Sequence, residues 1–305
     1  MARERRDVLR TAIKYNHVDI VHQLIDLGAD IQWKQSYNGW RMLHYASMSE
    51  YGSNVLRLLL DRGADIEAKC SKGKTPLHYV VGLKHTIKAV NLLIDYGADI
   101  EAKDNERKTP LHYAVGSKGS IEAVNLLIDQ GPNIEAKDNG GKTPLYYAVE
   151  SKYTIEAMNL LIDQGADIEA KDNKGKTPLH YAVEWKCSIK AVKLLIDRGA
   201  DIEAKDNKRK TPLHISCLNT HDEPDCMKEL LRKGAKANER DSTGQTPLHY
   251  ICERHNGLVN PIKTLLAHGA DVMAADMSGT IPISRLQQIP ELADLIPPNS
   301  GDLCG

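Results

Sequence analysis

Short apolar stripes recur along the chain at helical spacing, and a glycine cuts each one off. In 121–130, Ile121, Val124, Leu127 and Ile128 fall at i, i+3, i+6 and i+7, while Glu122, Asn125 and Asp129 take the other side. That spacing predicts an amphipathic helix of roughly ten residues, marginal by itself and dependent on its neighbours. Gly28, Gly63, Gly97, Gly131, Gly165, Gly199, Gly234 and Gly269 close eight such runs, 34 or 35 residues apart. A glycine just past a helix accepts left-handed backbone angles and lets the last carbonyls find partners. The glycines therefore predict copies of a single helix.

A second marker precedes six of the eight apolar runs, all but those ending at Gly28 and Gly63. Thr75-Pro76, Thr109-Pro110, Thr143-Pro144, Thr177-Pro178, Thr211-Pro212 and Thr246-Pro247 keep the same period. Threonine can accept hydrogen bonds from the free amides of a first helical turn, and proline at the next position has no amide to leave unpaired. Each module thus starts one helix at Thr-Pro and ends a second at glycine. Asp-Asn-x-Gly turns link successive modules. Residues 143–176 are repeated, lightly edited, from Thr177, Thr109 and Thr75.

The run Thr177-Pro178-Leu179-His180-Tyr181-Ala182, followed by Leu194-Leu195-Ile196-Asp197 and Gly199-Ala200-Asp201-Ile202, resembles the ankyrin repeat. The resemblance covers roughly residues 7–297. It implies an all-α, ankyrin-repeat solenoid of stacked helix-turn-helix modules with projecting β-hairpin-like fingers. About eight modules plus a partial C-terminal cap are expected. The boundaries expected are an N-terminal capping module at 1–38 and seven repeats at 39–72, 73–106, 107–140, 141–174, 175–208, 209–243 and 244–278. A partial cap at 279–297 and a flexible tail at 298–305 follow. Three features depart from the family pattern. An extra residue falls between the two helices. Glu67, Glu101, Glu135, Glu169 and Glu203 stand where the family has a finger Asn, which returns only as Asn238. Arg107 and Arg209 replace the turn glycine kept at 73, 141, 175 and 244. These departures bear on the inter-helix turn and on contacts between fingers, and leave the stack intact.

Composition fits many thin layers better than one thick core. Phe is absent and aromatics are 5%, so packing rests on Leu, Ile, Val and Ala. Charged residues make up 27% with a net charge of −1, which gives no global pull toward nucleic acid or membrane. No apolar run approaches a membrane span or a secretory signal. Six scattered cysteines without Cys-x-x-Cys read as free thiols in a reducing cytoplasm or nucleus.

No residue set stands out as a catalyst. His44, His78, His112, His180, His214 and His249 share one motif position, where the resemblance implies hydrogen bonds tying finger to first helix. Tyr146 takes that position in one copy. His221, Asp222, Glu223, Asp225 and Cys226 carry metal-capable side chains, but one His and one Cys in a turn fall short of a tetrahedral zinc set. Cys217 and Cys252 occupy a small buried position held elsewhere by valine. Tyr45, Tyr79, Tyr113, Tyr147, Tyr181 and Tyr250 read as core filling or as an aromatic ladder for a ligand. Lys74, Lys108, Lys142, Lys176 and Lys210, with acids alongside, read as a mutually neutralised solvent face or as a basic stripe facing an acidic partner.

Function then has to lie where the copies differ. The reading is a non-enzymatic scaffold that binds a partner protein on its finger and first-helix face, which the resemblance makes concave. Glu150, Lys174, Lys176, Glu184, Trp185, Lys208 and Lys210 are the expected contacts, with Trp185 as a potential interface anchor. The alternative is a recruiting adaptor of a larger complex such as a ubiquitin ligase, using the tail 284–305, or a microbial effector acting on host proteins. The expectation includes no cofactor, metal, nucleic acid or membrane, and a cytoplasmic monomer with the nucleus open to it.

Overall fold

A computed structural model describes residues 2–49, 53–84, 86–116, 121–151, 155–184, 188–219, 225–253 and 259–286. The chain forms two compact units, Met1–Asp167 and Ile168–Gly305. In the first unit the helices are α1 (Ala2–Lys14), α2 (Val18–Asp26), α3 (Met42–Met48), α4 (Ser53–Asp61), α5 (Pro76–Val80), α6 (Ile87–Asp95), α7 (Pro110–Gly116), α8 (Ile121–Asp129), α9 (Pro144–Glu150) and α10 (Ile155–Asp163). The second unit holds α11 (Pro178–Glu184), α12 (Ile189–Asp197), α13 (Pro212–Asn219), α14 (Asp225–Arg232), α15 (Pro247–Glu253), α16 (Val259–Ala267) and α17 (Ile283–Leu286). Among the described residues all regular structure is helical.

Each unit is a double row of stacked helices. Within the first, α1, α3, α5, α7 and α9 pack in series, and α2, α4, α6, α8 and α10 form the parallel row behind them. Within the second, α11, α13, α15 and α17 form the front row, and α12 packs on α14. The buried side chains repeat with the period: Leu77, Val80 and Val81, then Leu111, Ala114 and Val115, then Leu145, Ala148 and Val149. In α8 the buried stripe centres on Ala123, Val124 and Leu127, while Ile121 and Ile128 are only half-buried. A helix this short has too few internal bonds to stand alone, so this burial between layers holds it. At the N-terminal end the row is not fully sealed, and Val8 on α1 and Ile20 on α2 remain exposed.

The helix ends lie where the sequence markers place them. α5, α7, α9, α11, α13 and α15 all begin at the proline of Thr-Pro. The glycines after the second helices are left-handed, with Gly131 at φ 69 and Gly165 at φ 89. The threonine, however, does not cap the first turn as expected. Its hydroxyl lies against the motif histidine instead, as Thr75 Oγ1 does at 2.8 Å from His78 Nδ1 and Thr109 Oγ1 at 2.9 Å from His112 Nδ1.

Each finger is a tight turn closed by two backbone bonds, as from Asp104 N to Lys108 O at 3.1 Å and from Arg107 N to Asp104 O at 2.9 Å. Adjacent fingers share one more, such as Asn105 N to Lys72 O at 3.0 Å and Asn207 N to Lys174 O at 2.9 Å. That close approach is why Gly73 is glycine. It is left-handed at φ 74, and a Cβ there would meet the Asn105 amide nitrogen at 2.7 Å. Arg107 and Arg209 adopt the same left-handed turn at φ 63 and φ 59.

The finger glutamates take over the family Asn's contact as acceptors. Glu67 Oε1 receives the Asp99 amide at 2.8 Å, Glu101 that of Asn133 at 2.8 Å and Glu135 that of Asp167 at 2.9 Å. Asn238 does more, accepting from Asp271 N at 2.7 Å and donating to Gly269 O at 2.8 Å. A carboxylate has no proton for that second bond. Burial raises the pKa of Glu67, Glu135 and Glu203.

One cysteine expectation is corrected. Cys70, Cys217 and Cys252 are free and buried, whereas Cys226 is disulfide-bonded.

Candidate partner-binding surface

The finger and first-helix face is built around a buried polar buckle. In each histidine-bearing module from the third on, His Nδ1 accepts the threonine's backbone amide, at 3.1 Å for His78, His112, His180 and His214. That acceptance leaves Nε2 protonated and aimed at a carbonyl of the next finger. His78 donates to Lys108 O at 3.1 Å, His112 to Lys142 O at 3.3 Å and His180 to Lys210 O at 3.0 Å. The tie therefore runs forward to the following module. Burial holds these rings below the ordinary imidazole pKa, with His112 lowered to about 4. They are neutral structural groups, not acid–base catalysts.

The turn aspartates are the organising node of each finger, which composition did not reveal. Asp104 Oδ1 accepts the amides of Glu106 and Lys108 at 2.8 and 2.9 Å, and its Oδ2 accepts the Tyr113 hydroxyl at 2.6 Å. Asp138 and Tyr147 repeat the bond at 2.5 Å, Asp172 and Tyr181 at 2.8 Å, and Asp241 and Tyr250 at 2.5 Å. Tyr113, Tyr147 and Tyr181 are thus half-buried struts between first helix and finger, and Tyr250 makes the same strut from within the core. Burial raises the pKa of Tyr113, Tyr147 and Tyr250, and the aspartate hydrogen bond adds to it. In the earliest finger Gln35 stands in the aspartate's place and accepts the Tyr45 hydroxyl; in the next it is Cys70, whose Sγ lies 3.3 Å from the Tyr79 hydroxyl. Trp40, which the motif reading passed over, donates to the same hydroxyl at 3.3 Å and meets the Tyr45 and Tyr79 rings edge-on.

Lysines lie across these rings. Lys74 Nζ is 3.9 Å from the Tyr113 ring centre, Lys108 Nζ 5.0 Å from that of Tyr147 and Lys210 Nζ 4.6 Å from that of Tyr250. Carboxylates neutralise most of the row: Lys108 with Glu106 at 2.7 Å, Lys142 with Glu150 at 2.7 Å and Lys176 with Glu184 at 2.6 Å. The Lys142 and Lys176 pairs span eight residues, from finger base to the end of the first helix, a spacing no helical period predicts.

The expected contact residues divide accordingly. Glu150 lies in the first unit, paired with Lys142. In the second unit Lys176 and Glu184 face each other and are largely engaged, the Lys176 side chain being 12% exposed. Lys174 and Lys208 are exposed at finger tips, where their backbones serve the turn and their carbonyls accept the amides of Asn207 and Ser242 at 2.9 Å. Lys210 rests over Tyr250. Trp185 and the His221–Glu223 part of the metal-capable cluster lie outside the described residues. Cys226, the cluster's thiol, is oxidised and so unable to ligate as a thiolate. No group of metal-capable side chains converges among the described residues. A cleft of about 420 Å³ opens on this face beside Lys72, Lys74, Lys108 and Tyr113.

Sequence comparison agrees with this geometry. The model of ankyrin repeats in three copies matches residues 2–70, 67–138, 118–206 and 203–276. The chain belongs to the ankyrin repeat family. Its relatives include ankyrin repeat domain-containing protein 40 of Mus musculus, 33% identical over 75 residues, which is 25% of this chain and 20% of that protein. A putative ankyrin repeat protein of fowlpox virus, FPV233, is 41% identical over 71 residues, 23% of this chain and 14% of the viral protein. The human 2-5A-dependent ribonuclease is 35% identical over 74 residues, 24% of this chain and 10% of the enzyme. The matched stretch spans a fifth or less of each relative, so the likeness is one of repeats. Ankyrin repeats generally mediate protein–protein interaction. No described helix is long and apolar enough to cross a membrane.

Proposed function

We propose that this chain is a non-enzymatic ankyrin scaffold that holds a segment of another protein on its finger and first-helix face. The observation that carries the reading is the division of polar groups on that face. The repeated His, Asp and Tyr, and every motif Thr hydroxyl from Thr75 on but that of Thr143, are occupied in bonds within the array, whereas Lys174 and Lys208 present exposed ammonium groups at successive fingers of the second unit. Positions that differ between copies are the ones left to meet a partner. Lys176, Glu184 and Lys210 belong to that surface in the second unit, Glu150 to the finger face of the first, and Trp185 completes the proposed set. Fixed fingers lose little conformational freedom on binding, which favours affinity.

The reading treats the chain as a monomer in the cytoplasm or nucleus. Three buried free cysteines suit a reducing setting. Alkylation of Cys226 in protein taken directly from cells tests the compartment: a fully blocked thiol there moves the scaffold to an oxidising one. For the interaction, affinity capture and mass spectrometry identify the partner. Lys174→Glu combined with Lys208→Glu is then expected to weaken it by about tenfold, with melting unchanged within about 2 °C. Undiminished binding by the double variant would end the assignment of this face.

A further inference from the structure

The lysine row on the finger face is neutralised unevenly. Lys108 has Glu106 two residues before it, and Lys142 and Lys176 have Glu150 and Glu184 eight residues after. Gln245 repeats the later arrangement, donating to Glu253 at 2.7 Å. At Lys74 the corresponding positions are Lys72 and Gly82, and at Lys210 they are Lys208 and Leu218. Neither ammonium has an ion pair or hydrogen bond among the described residues. Each instead makes the closest lysine approach to a tyrosine ring in its own unit, 3.9 Å and 4.6 Å. A ring face attracts a cation but does not cancel its charge.

Lys74 also borders the cleft of about 420 Å³ that Lys72, Lys108, Ser71, Asn105 and Tyr113 line. Asp104 is there too, yet its oxygens are already engaged by the Glu106 and Lys108 amides and the Tyr113 hydroxyl. Glu106 is held by Lys108. Burial, with repulsion from Lys72 and Lys108, lowers the Lys74 pKa despite Asp104. The charge is thus half-desolvated, open to the cleft and in no direct ion pair, with Asp104 favouring it only from a distance.

We propose that this cleft is an anion-reading subsite of the finger face and takes an Asp or Glu side chain from an acidic segment of the protein partner. Lys74 Nζ is its primary contact, Lys72 its second and the Tyr113 ring its wall. Three lysines against two carboxylates leave room for one added negative charge. A phosphodiester chain or a polyphosphate would bring several charges against Asp104 and Glu106. Lys210, beside Lys208, repeats the deficit in the second unit. The proposal rests on the finger face being the protein-binding surface.

The test uses the full chain and two fluorescein-labelled twelve-residue peptides, one a repeat of Gly-Leu-Glu and the other the same repeat with Gln. Anisotropy titrations are expected to show the Glu peptide bound about five- to tenfold more tightly than the Gln peptide. Lys74→Gln should erase that preference and Lys74→Arg should keep it. Lys142→Gln, which removes a cation already paired with Glu150, should change it less than about twofold. Circular dichroism melting checks that each variant folds. No preference in the unmodified chain, or a preference untouched by Lys74→Gln, overturns the proposal. So does tighter binding of a twelve-residue oligothymidylate that competes with the peptide, since the cleft would then read phosphate. With the captured partner, weakening by the Lys174 and Lys208 reversals but not by Lys74→Gln sinks the subsite alone. Indifference to all three substitutions sinks the surface reading as well.

Discussion

The fourth and fifth modules carry nearly the same framework but close it differently. In the fourth, the Thr109 hydroxyl and amide both meet His112 Nδ1, at 2.9 and 3.1 Å, and the ring passes the connection on to Lys142 O. In the fifth, Tyr146 fills the same place, fully buried, and the Thr143 hydroxyl is buried without a hydrogen-bond partner. Helices α7 and α9 nevertheless begin at the same proline and run the same length. Helix placement is therefore set by the Thr-Pro and glycine markers and by apolar burial. The histidine adds polar satisfaction between modules, a separable contribution.

That separation has consequences of graded size. His112→Leu orphans the Thr109 hydroxyl and the Thr109 amide, and takes one of two donors from the Lys142 carbonyl, which keeps the Asp138 amide at 3.0 Å. Urea titration should show a loss of about 3–4 kcal/mol, since each orphaned buried group costs about 1–3 kcal/mol. A loss below about 1 kcal/mol would mean that the two modules differ only in appearance.

Acid should act on the fourth module and spare the fifth at this position. His112 has a folded pKa of about 4 against an ordinary value of 6.5. Above pH 6.5 the ring is neutral in both states and contributes no pH dependence. As pH falls from 6.5 toward 4 the unfolded chain takes the proton first, so stability drops by about 1.4 kcal/mol per pH unit for this ring. Across that window the loss is about 3 kcal/mol. His78, His180 and His214 shift in the same direction and steepen the total. His112→Leu should flatten the measured slope by close to one proton, and an unchanged slope would place the missing proton elsewhere.

The smallest contrast is the sharpest. Thr109→Val removes a hydroxyl that has a partner and should cost about 1–2 kcal/mol. Thr143→Val removes one that has none and should be neutral or slightly stabilising, by about 0.5 kcal/mol at most. Equal costs in paired thermal melts would show that Thr143 has found a partner.

The same distinction explains what could be read in the letters. Proline without an amide and glycine with a left-handed φ act within a residue or two, so Pro110 and Gly131 mark helix ends from sequence. Bonds that cross modules depend on how layers stack. Thr109 looked like an amide cap because only backbone partners were weighed, and the His112 ring three residues on takes its hydroxyl instead. The acceptance by Glu101 of an amide 32 residues later leaves no local trace, nor do the Lys142–Glu150 and Lys176–Glu184 pairs. At the proposed surface the repeated lysine ladder supplied Lys176, while choosing positions that vary between copies supplied Glu184 and singled out Lys174 and Lys208. That choice passed over Lys74, because the clue there is a carboxylate missing from two places at once. Trp40 was overlooked because it sits in a degenerate copy, where the comparison of motifs was weakest.

The finger glutamates have one more implication. Glu67, Glu101 and Glu135 each receive a backbone amide, that of Asp99, Asn133 or Asp167, whatever side chain that residue bears. Such a joint is indifferent to the identity of the copy that follows. Excising or inserting one whole period between these glutamates recreates the joint unchanged, so array length can drift in steps of a module. At Asn238 the joint also grips Gly269 O, a second backbone group that any copy supplies. Joints of this kind leave the length of the array free to evolve by whole modules.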